Sequence, residues 1–317
     1  MVNLVAEIAQ LSERIEASEK YSDTLKLRHE SRIKTIHSSL AIEQNILTVE
    51  QVSDIINGKR VLAPPKDIKE VLNAYSVYDN LGEFSPYSVE DLLTAHRIMM
   101  GDLLKDAGVF RSGNVGVFDG DKLIHAGTPA KYVPDLVENL FLWLEKSEVH
   151  PLVASCIFHY EFEFIHPFSD GNGRTGRFWH TLILSKWKPI FAWMPIETIV
   201  YNNQKAYYDA IGQSTKNADC SVFIELMLRL ICDAMTLYIN EKAKGDTQGD
   251  TQDDTQEKTI QKIIEIIKAN NKVTTAQIAE KLGVSVITVK RKIKSMPEIH
   301  YVGSGYSGHW EIAASED

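Results

Sequence analysis

The stretch HPFSDGNGRTGR, His166 to Arg177, lies between two apolar segments of helical periodicity and is the connection between them. A residue that precedes a proline is pushed out of the α region, so the helix containing EFEFI should end near His166. Gly171 and Gly173 permit backbone conformations in which consecutive N–H groups converge on an anion. The next helix should begin around Gly173–Arg174 and direct its positive end to the same place. The stretch therefore predicts a helix–loop–helix that binds an anion.

The charged side chains of this stretch indicate which anion it binds. Arg174 and Arg177 are three residues apart, so they share one face of the second helix. Two guanidinium groups beside an anion-binding loop favour a polyphosphate. Asp170 next to phosphates is typical of a Mg²⁺ ligand, and His166 is placed to act as a general base. The pattern predicts transfer of a phosphorus-containing group from a nucleotide to a hydroxyl.

Two other interpretations of the stretch explain less of it. A P-loop requires Lys followed by Ser or Thr after its final glycine, and this stretch has Arg-Thr there. A plain surface turn with arginines in surface ion pairs would explain Gly-Asn-Gly alone. It does not explain a histidine, an acid, an asparagine and two arginines within the same twelve residues.

These residues occupy every fixed position of His-x-Phe-x-Asp/Glu-Gly-Asn-Gly-Arg-x-x-Arg, so the chain resembles the Fic family over about residues 87–243. The resemblance implies an all-α, Fic-type helical bundle with a small β-hairpin flap. It also implies a protein adenylyltransferase, which moves AMP from ATP to a Ser, Thr or Tyr hydroxyl of a target protein and releases pyrophosphate.

The resemblance assigns roles to individual residues. His166 would be the base toward the target hydroxyl, and Asp170 the Mg²⁺ ligand. Asn172 and the loop amides would contact the α-phosphate of ATP, with Arg174 and Arg177 toward the β- and γ-phosphates. The other nucleotide-binding positions it implies are Gly171, Gly173, Thr175, Gly176 and the aromatic pair Tyr207 and Tyr208. Either tyrosine alone is equally well explained as packing in a helix interface.

A second resemblance lies upstream, in SSLAIEQN. Ser39 and Glu43 are four residues apart on a predicted helix, so they share a face. They resemble the Fic inhibitory motif Ser/Thr-x-x-x-Glu-Gly/Asn, which implies that Glu43 pairs with Arg177 and competes with ATP. The sequence departs from that motif at Gln44, where Gly or Asn is expected. Alternatively, Ser39 and Glu43 belong to an ordinary solvated helix face.

The composition of the linker, together with the resemblance to the Fic family, predicts four segments in the chain. Residues 1–86 are an N-terminal helical region with the inhibitory helix, and residues 87–243 are the Fic catalytic core. Residues 244–258, which contain GDTQGDTQDDTQ, have the composition of an acidic flexible linker. Residues 259–317 follow the order helix, helix-turn-helix, hairpin, which predicts a winged-helix domain.

A β-hairpin is predicted within the core, in NVGVFDGDKLIHAG. The flap formed by residues 114–130 would position the target as an added strand.

The charge of the chain is distributed unevenly. The net charge is −9, yet residues 258–296 carry nine Lys/Arg against two Glu, a local balance of +7. A predicted recognition helix from Ser285 to Met296 carries four basic residues, Lys290, Arg291, Lys292 and Lys294. Such a helix would bind duplex DNA through phosphate contacts. A winged helix used for protein contacts only is an equally weighted alternative.

The cysteines and the apolar runs indicate the compartment of the protein. Three scattered cysteines indicate reduced, structural residues, and no apolar run is long enough for a membrane span, so we expect a cytoplasmic protein.

The sequence leaves three functions open. The leading hypothesis is a protein adenylyltransferase that uses ATP and Mg²⁺ and is inhibited by Glu43. One alternative is a hydrolase in which Glu43 orients a water to remove AMP from a protein. The other is a DNA-binding regulator whose core senses nucleotide.

Overall fold

The structure is a computed structural model, and it describes residues 1–19, 24–119, 122–126, 128–271, 273–282, 293, 299–302 and 309–312. The chain divides into two compact units, Met1–Ile239 and Asn240–Asp317. The helices of the first unit confirm the expected all-α fold; they are α1 Val2–Glu19, α2 Thr24–Ile42, α3 Val49–Ile56, α4 Pro65–Asp79, α5 Val89–Met99, α6 Val133–Lys146, α7 Pro151–Ile165, α8 Asn172–Trp187, α9 Ile196–Asn202, α10 Gln204–Asn217 and the start of α11, Ser221–Ala269.

Two apolar clusters form the core of the first unit. One surrounds Phe158 of α7 and Trp179 of α8, both fully buried, and it includes Ile36 of α2. The other surrounds Phe191 and Phe223, and Ile8 and Ile15 of α1 pack into it. Helices α7 and α8 contribute to both clusters, so the core holds the loop between them in place.

A β-hairpin stands beside this bundle. Strands β1, Gly116–Asp119, and β2, Lys122–Ala126, pair antiparallel with an irregular register at Val117/Phe118, which confirms the predicted hairpin. Its base is closed where the backbone N–H of Ala130 donates to Asn114 Oδ1 at 3.0 Å.

Residues 244–258, which the composition predicts to be an acidic flexible linker, lie within α11. The segment contains no proline and is flanked by apolar helical segments, so a helix propagates through it without a new nucleation step. The division of the chain into four segments stays a prediction.

The second unit has its own small core around Ile263, Ile267 and Ile278. Helix α12, Thr275–Leu282, begins with a capping box in which Thr274 and Gln277 exchange hydrogen bonds. Strands β3, Ile299–Val302, and β4, His309–Ile312, pair antiparallel, as predicted. The predicted recognition helix, Ser285 to Met296 with its four basic residues, lies outside the described residues except for Ile293.

Two sequence predictions concern the state of the cysteines and the presence of a membrane span. The three cysteines are free thiols, Cys156 and Cys232 being buried. Among the helices that the structure describes, none combines the length and apolarity needed to cross a membrane.

Candidate functional site

Helix α7 ends where the sequence predicts. His166 is its C-cap and adopts a left-handed backbone conformation, φ 53° and ψ 63°. Its N–H still donates to the carbonyl of Phe162, at 2.9 Å. The side chain before Pro167 is thus delivered at the helix end, partly buried, at the start of the loop.

Helix α8 begins at Asn172, slightly earlier than expected, and Gly171 is its N-cap with φ 80°. The backbone conformation favours glycine there, and a Cβ at Gly171, 2.6 Å from Sδ of Met100, would also force the buried Met100 side chain to shift. The first N–H groups of α8 and its positive end therefore face the loop, as an anion site needs.

The side chain of Asn172 shapes the loop. Its Oδ1 accepts from the N–H of Phe168 at 2.8 Å, and its Nδ2 donates to the carbonyl of Phe168 at 2.9 Å. The residue is buried, and Phe168 is a fully buried anchor beside it. Both ends of the amide are engaged in the loop, which leaves the backbone N–H of Asn172 and the second N–H of its Nδ2 for the phosphate contact that the resemblance implies.

His96 of α5 also supports the loop, a role beyond the core-edge position that its sequence context suggests. Its Nδ1 accepts from the N–H of Gly108 at 2.8 Å, so the ring proton is on Nε2, which donates to the carbonyl of Asp170 at 2.9 Å. The ring stacks on Phe168 with centroids 3.6 Å apart. Burial lowers the pKa of His96, which favours this neutral form.

Arg111 is a residue that sequence reasoning missed. Its guanidinium donates to four carbonyls: His166 at 2.6 Å, Ile165 at 3.2 Å, Gly113 at 2.8 Å and Thr128 at 2.5 Å. Two of these end α7, and the other two flank the hairpin. One buried cation therefore joins the helix end that carries His166 to the base of the flap.

The two signature arginines are both buried and both paired with acids. Arg177 Nη2 lies 2.8 Å from Glu43 Oε1 and 2.9 Å from the carbonyl of Ser39, and its Nε donates to Ser39 Oγ at 3.2 Å. Arg174 Nη1 lies 3.2 Å from Glu70 Oε1 on α4. The structure thus brings Ser39 and Glu43 to Arg177, and Glu70 is a partner of Arg174 that the sequence did not reveal.

Glu43 lies against the loop itself. A Cβ on Gly173 would be 2.5 Å from Glu43 Oε1, so only glycine leaves room for the carboxylate there. Burial alone would lower the pKa of Arg177, but its acidic neighbours, Glu43 first, raise it above the ordinary value. The pair is therefore electrostatically favourable as well as close.

Two further predicted positions belong to the framework of the site. The hydroxyl of Thr175 donates to the carbonyl of Gly171 at 2.8 Å. A Cβ on Gly176 would lie 3.0 Å from Glu163 Oε1 and 3.1 Å from Phe162, so Gly176 allows α8 to approach α7 closely.

The two tyrosines of α10 differ. Tyr207 is buried, and its hydroxyl hydrogen-bonds Nε2 of His159 at 2.9 Å, so it packs within a helix interface. Tyr208 is 49% exposed, with its ring 5.3 Å from that of Tyr207. Only Tyr208 presents an accessible aromatic surface to a ligand.

Asp170 is the candidate metal ligand. Its side chain is 60% exposed, and its Oδ1 accepts from the N–H of Gly171 at 2.6 Å. Within the described residues, no cluster of three or more His, Cys, Asp or Glu side chains could hold a metal. A single exposed carboxylate suits Mg²⁺, which is commonly held by one or two carboxylates together with phosphate oxygens and water.

Glu163 of α7 gives the site an unusual titration. Its Oε1 is buried, has no hydrogen-bond partner among the residues that the structure describes, and lies 3.9 Å from His159 Nε2. Burial raises the pKa of Glu163 from 4.5 to about 7, aided by Glu43 and opposed by Arg177. The raised pKa belongs to the folded state, so the protonated form of Glu163 favours folding. The contribution of Glu163 to the free energy of unfolding is fully present below pH 4.5 and is lost as the pH rises through 7.

Replacement of Glu163 by glutamine should therefore raise the free energy of unfolding by about 2–3 kcal/mol at pH 8 and change it little at pH 4.5. Urea unfolding at the two pH values measures this difference. Glu138→Gln, on the exposed face of α6, is the matched control and should have equal effects at both. An equal effect of Glu163→Gln at both would contradict the assignment.

Comparisons with known proteins agree with this geometry. Residues 86–184 match the Fic/DOC family, and residues 256–302 match the winged helix-turn-helix DNA-binding family. A crystal structure of a Fic family protein from Desulfovibrio desulfuricans G20 is 38% identical, with a TM-score of 0.74, and the match covers 100% of this chain and 96% of that one.

Curated relatives carry a functional name. A Nematostella vectensis protein named protein adenylyltransferase Fic is 28% identical over 209 residues, 63% of this chain and 47% of that protein. The Caenorhabditis elegans protein adenylyltransferase fic-1 is 28% identical over 190 residues, 55% of this chain and 35% of that one. The chain thus spans about half or less of the length of these relatives.

Proposed function

The chain belongs to the Fic family, and on that premise we propose that it is a protein adenylyltransferase, which transfers AMP from ATP to a Ser, Thr or Tyr hydroxyl of a target protein. The observation that carries the proposal is the α7–α8 loop. It combines His166 at a helix end, the N-terminus of α8, and two buried arginines within twelve residues. The names of the curated relatives support it.

The proposed reaction is a substitution at the α-phosphorus. The hydroxyl oxygen of the target attacks that atom while its proton passes to the imidazole of His166. The bond between the α-phosphorus and the bridging oxygen breaks, and pyrophosphate leaves. The backbone N–H groups at the start of α8 hold the α-phosphate, and Arg174 and Arg177 hold the β- and γ-phosphates. Mg²⁺, held by Asp170 and the phosphates, would neutralise charge on the leaving pyrophosphate.

Glu43 is proposed to inhibit this reaction. Its carboxylate occupies the guanidinium of Arg177 and lies against Gly173. An ATP γ-phosphate that needs the same guanidinium must displace it. Inhibition is then a competition between two anions for one buried cation.

The transferred group distinguishes this function from phosphorylation. The protein and its Glu43→Gly variant are incubated with Mg²⁺ and ATP labelled on either the α- or the γ-phosphate, with a cell lysate as the source of targets. We expect the label that depends on the added protein to come from α-labelled ATP only. Label from γ-labelled ATP that also depends on the added protein would indicate a kinase, and the proposal would then be wrong.

We further propose that the second unit binds duplex DNA. Its match to the winged helix-turn-helix DNA-binding family and the basic balance of residues 258–296 support this. Binding through phosphate contacts should fall steeply with salt, by about 10³-fold or more between 50 and 200 mM if six or more phosphates are contacted. Fluorescence anisotropy with a labelled duplex measures the slope. If the protein does not bind the duplex at low salt, the proposal of DNA binding is wrong, and the second unit then serves protein contacts.

A further inference from the structure

Glu70 is a buried acid that the proposed reaction does not use. It lies on α4, with 6% of its surface exposed. Its Oε1 accepts from Arg174 Nη1 at 3.2 Å, and its Oε2 accepts from Asn45 Nδ2 at 2.9 Å. One carboxylate therefore joins a signature arginine to a residue two positions beyond Glu43.

Asn45 belongs to the structure that ends the inhibitory helix. The N–H of Gln44 donates to Ala41 and the N–H of Asn45 donates to Leu40, at 3.0 and 3.1 Å, which is a Schellman motif. Gln44 takes the left-handed position with φ 68°, where the inhibitory motif has Gly or Asn. Helix α2 therefore ends at Ile42, with Glu43 as its C-cap, despite the glutamine, and the side chain of Asn45 ties that end to α4 through Glu70 and the carbonyl of Asp67.

Arg174 depends on Glu70 for its position. The residue is buried, and its Nε lacks a hydrogen-bond partner among the described residues. Its other acidic neighbour, Asp170, lies 3.5 Å away with a 60% exposed side chain, so the attraction between them is weakened by solvent. A planar guanidinium is held most firmly by a buried carboxylate, and here Glu70 supplies it.

We propose that Glu70 is a positioning residue, which orients Arg174 toward the nucleotide and, through Asn45, couples that arginine to the segment that carries Glu43. The inference rests on the proposed function, because it takes Arg174 to contact the outer phosphates of ATP. Both signature arginines are then held by acids of the N-terminal region, Arg177 by Glu43 and Arg174 by Glu70. Only the first acid has to leave when ATP binds.

Nucleotide affinity tests the orienting role. In the Glu43→Gly background, calorimetry is used to measure the affinity for Mg²⁺–ATP and for AMP with and without Glu70→Gln. We expect the change to weaken ATP binding about tenfold and to leave AMP binding unchanged, because AMP lacks the outer phosphates. A general structural role would weaken both. Equal loss for both nucleotides, or no loss for ATP, would overturn the proposal.

Three further variants complete the test. Asp79→Asn, an acid-to-amide change at the exposed end of the same helix, is the matched control and should bind ATP normally. Glu70→Asp keeps the charge but withdraws it by one methylene, and it replaces Glu70→Gln if that variant does not fold; an unchanged ATP affinity would count against the inference. Asn45→Ala, with Glu43 intact, should raise AMP labelling severalfold, and no rise would refute the coupling.

A failure of the proposed function gives a different result. If the Glu43→Gly variant itself binds neither nucleotide, the proposed function is wrong. If it binds ATP and the Glu70 variants bind ATP equally well, the proposed function stands and only the role of Glu70 is wrong.

Discussion

Replacement of Glu43 by glycine is expected to tighten ATP binding by about ten- to a hundredfold and to raise AMP transfer by a similar factor. The carboxylate lies 2.8 Å from Arg177 Nη2, and the Arg177 side chain is only 3% exposed. Removal of the carboxylate leaves a buried cation without its charged partner, and the γ-phosphate of ATP is the anion that replaces it. The gain in ATP affinity equals the free energy that is otherwise required to displace Glu43 from Arg177.

Calorimetry and labelling with α-labelled ATP measure the two effects. Gln44→Gly is the matched control, because it also introduces glycine at the end of α2 but keeps the carboxylate. Glycine adopts the φ of 68° at this position without strain, so labelling should stay at or below the unmodified level. Equal activation by both variants would show that loosening of the helix end, and not the loss of charge, relieves inhibition.

The same substitution should change stability in a ligand-dependent way. Without nucleotide, the Glu43→Gly variant should unfold more easily, by about 1–3 kcal/mol, because Arg177 is left unpaired. Saturating ATP should restore that loss and raise the melting temperature more in the variant than in the unmodified protein.

The alternative of AMP removal predicts a different result. If a target protein that already carries AMP loses it more slowly with the Glu43→Gly variant than with the unmodified protein, AMP removal with Glu43 as the water-orienting group is favoured.

His166→Ala in the Glu43→Gly background should lower the rate of AMP transfer by about 10²- to 10⁴-fold and leave ATP affinity within about twofold. The imidazole accepts the proton of the attacking hydroxyl, whereas the phosphates are held by α8 and the arginines. Rapid labelling together with calorimetry separates these two effects. A comparable loss of ATP affinity would show that His166 binds the nucleotide.

Backbone strain must be controlled in this experiment. His166 has φ 53°, where alanine is disfavoured and asparagine is tolerated. His166→Asn therefore removes the base while keeping the conformation of the helix end, and it should be as inactive as the alanine variant. His29→Ala, at an exposed histidine of α2, should transfer AMP normally. Activity in the asparagine variant would show that the backbone, and not the imidazole, was lost in the alanine variant.

The parts of the site that the sequence predicts are those encoded locally. Pro167 indicates the end of α7, and Gly171 indicates the turn into α8, because each acts on its own backbone. The pairing of Glu43 with Arg177 spans 134 residues, and only the resemblance to a family motif pointed to it.

The supporting contacts that were missed join residues distant in sequence. Arg111 reaches His166 across 55 residues, His96 reaches Asp170 across 74, and Glu70 reaches Arg174 across 104. No periodicity or local motif relates such pairs, and each residue alone has the sequence context of an ordinary helix or loop.

The mass of the group added to a protein hydroxyl tests the central claim most directly. A target that the Glu43→Gly variant labels with Mg²⁺ and ATP is purified and measured as an intact protein, then fragmented to find the modified residue. We predict a gain equal to one AMP on a Ser, Thr or Tyr side chain, and no gain with the Glu43→Gly, His166→Asn double variant. A gain equal to a phosphate, or one that persists in the double variant, would contradict it.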